Sequence, residues 1–131
     1  MNLPYNLSNP PTATFWSLPV SIITLEECTR LICSWALKHS KKRIYCCTIN
    51  DIVYALEHRS GTRWLKDADV ITPDGMPIVW RLKQKGFSVN RVYGPDLMES
   101  VLKATEHLPL KHFFYGSSEL TVNKLKIEIS L

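Results

Sequence analysis

Three short apolar runs, Ile44–Thr48, Val70–Thr72 and His112–Tyr115, are separated by connections long enough to hold a helix. This alternation constrains the chain more than any other feature. Strands joined by such long connections do not close as tight hairpins; they pair in parallel, and the intervening helices lie over the sheet. The expected class is α/β.

Periodicity and capping signals place the helices. Thr24 with Glu27 three positions later forms a capping box for a helix reaching about His39, with Leu25, Cys28, Ile32 and Trp35 on one apolar stripe. Asn50 or Asp51 caps a helix through Ile52, Val53 and Leu56 that stops at Gly61, and a second helical piece carries Trp64 and Leu65. Pro77 suits a first turn, so a helix through Val79, Trp80 and Leu82 runs to a stop at Gly86. Gly94 caps the next helix, with Leu97, Met98, Val101, Leu102 and Thr105 on one side, and a last helix presents Leu120, Val122, Leu125 and Ile129.

Residues 1–14, with Pro4, Pro10 and Pro11 among Asn, Ser and Thr, read as a mobile arm, and folding is expected to begin near Phe15 with an extended stretch to Val20. The architecture expected for residues 15–131 is a Rossmann-like parallel sheet with helices on both faces. Three strands are few, and the alternation stops inside or just after a helix, so the sequence points to an incomplete domain whose exposed apolar border leaves a homo-oligomer open.

Charge narrows the partners. Sixteen Lys and Arg against 12 Asp and Glu give +4, too mild and too evenly spread for nucleic acid as the main partner. The sequence contains neither a leader-like apolar run nor a stretch of the roughly 20 apolar residues a bilayer span needs. That reads as cytoplasmic, with at most a peripheral contact at the inner face of the plasma membrane. Cys28, Cys33, Cys46 and Cys47 lack zinc spacing and read as reduced, mostly buried thiols; no metal or cofactor is expected. Cys46 and Cys47, adjacent in a strand, must face opposite sides.

In open parallel sheets ligands bind beyond the carboxyl ends of the strands. Three such ends can be read: Thr48-Ile49-Asn50-Asp51, Thr72-Pro73-Asp74-Gly75 and Gly116-Ser117-Ser118-Glu119. Asp74 is the most pointed, set between Pro73 and Gly75 so that its carboxylate projects from the sheet; the alternative is a helix N-cap. Thr48 and Asn50 add a hydroxyl and an amide on the same rim, suited to a sugar, although Asn50 could equally be a cap. Gly116 and Ser117 precede a helix and offer backbone N–H groups to a phosphate, and Arg91 is a candidate anion clamp.

Thr48-Ile49-Asn50, then Ala68-Asp69-Val70-Ile71-Thr72-Pro73-Asp74-Gly75-Met76, then Arg91-Val92-Tyr93-Gly94-Pro95-Asp96-Leu97-Met98, resemble in order and spacing the bacterial WecB/TagA/CpsF glycosyltransferase family. Leu18-Pro19-Val20, Thr24-Leu25-Glu26-Glu27 and Phe113-Phe114-Tyr115-Gly116 extend the resemblance over most of the chain from Phe15 onward. It implies transfer of a hexosyl group, such as N-acetylmannosamine, its uronic acid or glucose, from a UDP-sugar to a lipid-linked (polyprenyl-diphosphate) or polysaccharide-precursor acceptor. It further implies an inverting mechanism with Asp74 as general base, Thr48 and Asn50 holding sugar or acceptor, and Arg91 steadying phosphate. Asp96, Gly116 and Ser117 are the remaining implied substrate-binding positions. Gly116-Ser117-Ser118 stands where the family has a double glycine, and a later Gly-Pro-Lys-Gln-Glu-like segment has no counterpart in the sequence. The competing reading is an inactive α/β nucleotide-binding or interaction module, a truncated remnant in which these rim residues are only helix caps.

Overall fold

The computed structural model describes residues 9–58 and 61–129. The chain opens with β1 (Thr12–Phe15) and β2 (Leu18–Ser21), an antiparallel pair in register Thr12↔Ser21 to Phe15↔Leu18. The expected extended stretch is thus a hairpin, and it begins at Thr12, inside the segment read as an arm; residues 1–8 lie outside the described residues. Its two-residue turn puts Trp16 (φ 44°) and Ser17 (φ 69°) in the left-handed region, the geometry that matches strand twist but usually recruits Asn and Gly. Without those residues the sequence gives no turn signal.

Helix α1 (Leu25–Leu37) starts at the expected capping box: Thr24 Oγ1 accepts the Glu27 N–H at 3.2 Å, and Glu27 Oε2 accepts the Thr24 N–H at 2.9 Å. Next come β3 (Ile44–Cys47), α2 (Ile49–Glu57), α3 (Gly61–Lys66) and β4 (Val70–Pro73). Helix α2 ends ahead of Gly61, which opens α3 instead of closing α2; Leu65 is buried, while the Trp64 side chain lies outside the described residues. Helices α4 (Met76–Gln84), α5 (Gly94–Thr105) and α6 (Glu119–Ile129) complete the described order.

Strands β3 and β4 pair in parallel, Ile44↔Val70 through Cys47↔Pro73. Their amino ends are tied together by Asp69, whose carboxylate accepts from Lys42 Nζ at 2.8 Å and from the Arg43 N–H at 2.9 Å. On the far side of β4, the Ile71 N–H donates to Ser21 Oγ (3.1 Å) and the Val92 N–H to the Pro73 carbonyl (3.0 Å), so the hairpin and the 89–93 segment flank this strand.

Side-chain alternation then divides the core in two. Cys47 and Ile71 join the hairpin and Ile52, Ala55, Leu65, Ile78, Val79 and Leu82 on one face. Val70, with Ile44 and Cys46, meets Cys28, Leu31 and Trp35 of α1 and Leu97 of α5 on the other. The class is α/β with helices on both faces, as expected, and Cys46 and Cys47 do face opposite sides.

The third strand is not formed. Residues 112–115 carry no strand pairing among the described residues, Phe113 and Tyr115 are 88% and 96% exposed, and the helix that follows, α6, buries none of its residues. Apolar content alone marked the segment; a strand also needs a partner for its backbone, and a helix needs a surface on which to lay its stripe.

All four cysteines are free. Burial drives the thiols of Cys28 and Cys47 up from 9.0 to about 12, helped at Cys28 by Cys46 and at Cys47 by Asp51, Asp74 and Cys46. Folding therefore favours the neutral thiols: their contribution to stability is complete below pH 9 and is lost as the pH climbs toward 12. A pH series of melting temperatures should fall across that window, and iodoacetamide at pH 8 should label Cys28 and Cys47 in the unfolded chain far faster than in the folded one. Equal labelling rates would contradict the buried placement.

Candidate active site

Because β3 and β4 end in register, the residues that follow them meet on one rim. The Asp74 N–H donates to the Cys47 carbonyl at 3.1 Å and the Gly75 N–H to the same oxygen at 3.3 Å, carrying the pairing one step past the strands. Gly75 lets the two turns touch: a Cβ there would stand 3.3 Å from the Ile49 nitrogen and 3.4 Å from the Thr48 Cα. Thr48 and Asp74 therefore occupy neighbouring backbone positions on the rim.

Asp74 is 6% exposed. A buried carboxylate needs partners, and two come from the segment after α4. Arg91 NH2 donates to Asp74 Oδ1 at 3.1 Å, while Arg91 Nε donates to the Asp74 carbonyl. The Gly94 N–H donates to Oδ2 at 3.1 Å. Gly94 is the first residue of α5, whose N-cap is Tyr93, so the carboxylate of a distant strand end satisfies an amide of that helix terminus, where the dipole also favours negative charge. Neither capping expectation holds in its original form: Gly94 is not the cap of α5, and Asp74 caps not the adjacent α4, whose N-cap is Gly75, but α5.

Arg91 is consequently not a free anion clamp. Its side chain, 45% exposed, is held by Asp74 on one side and lies over the Tyr93 ring at 4.3 Å, leaving the outer part of the guanidinium to solvent.

On the β3 side the N-cap of α2 is Thr48, one of the rim residues themselves, instead of Asn50 or Asp51. Asp51 Oδ2 accepts the Thr48 N–H at 2.8 Å and the Thr48 hydroxyl at 2.6 Å, and its Oδ1 accepts the Tyr45 hydroxyl at 3.1 Å. Asp51, which the sequence places at this strand end with no role beyond a cap, and Tyr45, which it does not place there, thus hold Thr48 on the rim. The signal was the Thr-x-x-Asp spacing ahead of an apolar run, the same pattern that identified α1. Asn50 is exposed on the first turn of α2.

The other expected positions are peripheral to this cluster. Asp96 is exposed on the first turn of α5. Gly116 (φ 124°) and Ser117 (φ 58°) form an exposed left-handed turn before α6, and Ser118 Oγ accepts the Thr121 N–H at 3.3 Å, a helix-start role. From Gly94 a shallow groove of about 260 Å³ descends between α5 and residues 112–114, over Ile44 and Cys46.

The two rim glycines should respond differently to a methyl group. Gly75→Ala presses on backbone at 3.3 Å and should cost about 1 kcal/mol or more. Gly94→Ala meets nothing closer than 3.6 Å and should lie within about 0.5 kcal/mol of the parent. Urea denaturation of both variants checks the close approach of the two turns; equal midpoints would refute it.

No curated protein matches the chain. A profile for the glycosyl transferase WecG/TagA/CpsF family matches residues 13–130, from the first strand to the last helix. The rim with its buried Asp74 thus sits inside the region that defines the family, and the chain belongs to the WecG/TagA/CpsF family of glycosyltransferases.

Proposed function

We propose that this protein transfers a hexosyl group from a UDP-sugar to a lipid-linked or polysaccharide-precursor acceptor with inversion, and that Asp74 is the general base. The observation that carries the reading is a buried carboxylate fixed at the carboxyl end of a parallel strand in a glycosyltransferase chain. In the proposed step the acceptor hydroxyl attacks the anomeric carbon. The bond from that carbon to the diphosphate oxygen breaks with its electron pair leaving on UDP, and the hydroxyl proton passes to Asp74. Arg91 and the Gly94 N–H take one lone pair from each carboxylate oxygen, which holds the group in place and leaves each oxygen a second lone pair for the proton.

Among the described residues no helix is long and apolar enough to cross a membrane. A lipid-linked acceptor would be met by peripheral contact at the cytoplasmic face, with basic residues adding about 1 kcal/mol each near anionic lipid.

Asp74→Asn should lower kcat roughly 10²–10⁴-fold for UDP release with acceptor present, read below the melting temperature of the variant. Activity within a few-fold of the parent removes Asp74 from the role. The bonds at Thr48 and Asp74 also favour a second reading, a non-catalytic module in which both residues only cap helices. A thermal shift with UDP and UDP-sugars separates the two: stabilisation supports transfer, and no response to either supports the module.

A further inference from the structure

We propose that Asp51 is a positioning residue that makes the Thr48 hydroxyl an obligate hydrogen-bond acceptor, so that the ligand group seated against it is a donor, a sugar hydroxyl, and not a phosphate oxygen. The proposal rests on the sugar-transfer reading and adds a role for Asp51, which sets the direction of the hydrogen bond that Thr48 can make.

A threonine hydroxyl has one proton and two lone pairs. Left alone it turns to suit either kind of ligand atom. Here its proton is committed to Asp51 Oδ2 at 2.6 Å, in the range of charge-assisted bonds to an ionised acceptor. A carboxylate has no proton to return, so Thr48 Oγ1 can offer a ligand only lone-pair density. The orientation is over-determined. The Thr48 N–H donates to the same oxygen at 2.8 Å, and the Tyr45 hydroxyl holds the other carboxylate oxygen at 3.1 Å. Burial first, and then the bond to Asp51, push the Tyr45 phenol well above its usual range, so it stays a donor across the working pH.

Thr48 is itself only half-buried, within reach of a ligand on the rim. A diphosphate, which carries only acceptors, would meet Thr48 Oγ1 lone pair to lone pair. The sugar, rich in donors, would not.

The test uses UDP-glucose and UDP-N-acetylmannosamine, each with analogues in which one sugar hydroxyl at a time is replaced by fluorine, which cannot donate. The proteins are the full 131-residue chain and its Thr48→Val, Thr48→Ser and Asp51→Ala variants, with melting temperatures recorded. At one sugar position fluorine should raise KM roughly tenfold for the parent and Thr48→Ser, with kcat little changed. For Thr48→Val and Asp51→Ala that penalty should shrink to about twofold or less, because the acceptor is gone in the first and in the second the hydroxyl proton, no longer committed, can turn to the fluorine. A merely structural cap would lower melting temperatures but leave the fluorine penalty unchanged. If Asp51→Ala does not fold, the Thr48 pair decides. An unchanged penalty in Thr48→Val overturns the inference while parent turnover, and its loss in Asp74→Asn, leave the transfer reading standing. Failure of the parent chain to bind or turn over either sugar nucleotide overturns both.

Discussion

A carboxylate taken out of water must be met by donors, and at Asp74 this requirement organises the carboxyl end of the sheet. Arg91 and Gly94 lie 17 and 20 residues further along the chain, and both turn back to the same two oxygens. Between them Val92 is fully buried, and its N–H and carbonyl bond to the end of β4. Helix α5 is thereby aimed at the rim by an electrostatic contact at its first residue as well as by the packing of Leu97 against α1 and β4. Because the Arg91 side chain is nearly half exposed, the pair escapes the full desolvation cost of a buried salt bridge. The same group that fixes the scaffold thus stands where a reacting hydroxyl would need a base.

The β3 end solves a similar problem with local chemistry. Helix α2 begins directly after the strand, so its first amides fall at the rim, and Asp51 gathers Thr48 and Tyr45 within a span of seven residues. One rim residue is therefore held by long-range contacts and its neighbour by short-range ones. The two meet because Gly75 has no side chain to keep the turns apart.

This difference in range explains what could be read from the sequence. The Thr24–Glu27 box, the Pro77 turn and the β3 and β4 runs are local patterns, and the structure contains each of them. The rim placement of Thr48 and Asp74 followed from the parallel pairing of those runs. The partners of Asp74 were not legible, since nothing local marks Arg91 and Gly94 as its donors. The hairpin was missed because Trp16 and Ser17 accept left-handed backbone without the usual turn residues. Residues 112–115 and α6 show the reverse error: their letters suit a strand and a buried helix, but burial depends on a neighbouring surface that no segment specifies for itself.

The bonds beside β4 have a consequence for how this sheet could grow. The Ile71 N–H is occupied by Ser21 and the Pro73 carbonyl by Val92, so that flank offers no free ladder to a newcomer. On β3, by contrast, no described strand pairs opposite β4. Lateral extension is therefore directional: among the described strands the open edge of this sheet is that of β3, while the flank of β4 is taken by Ser21 and Val92.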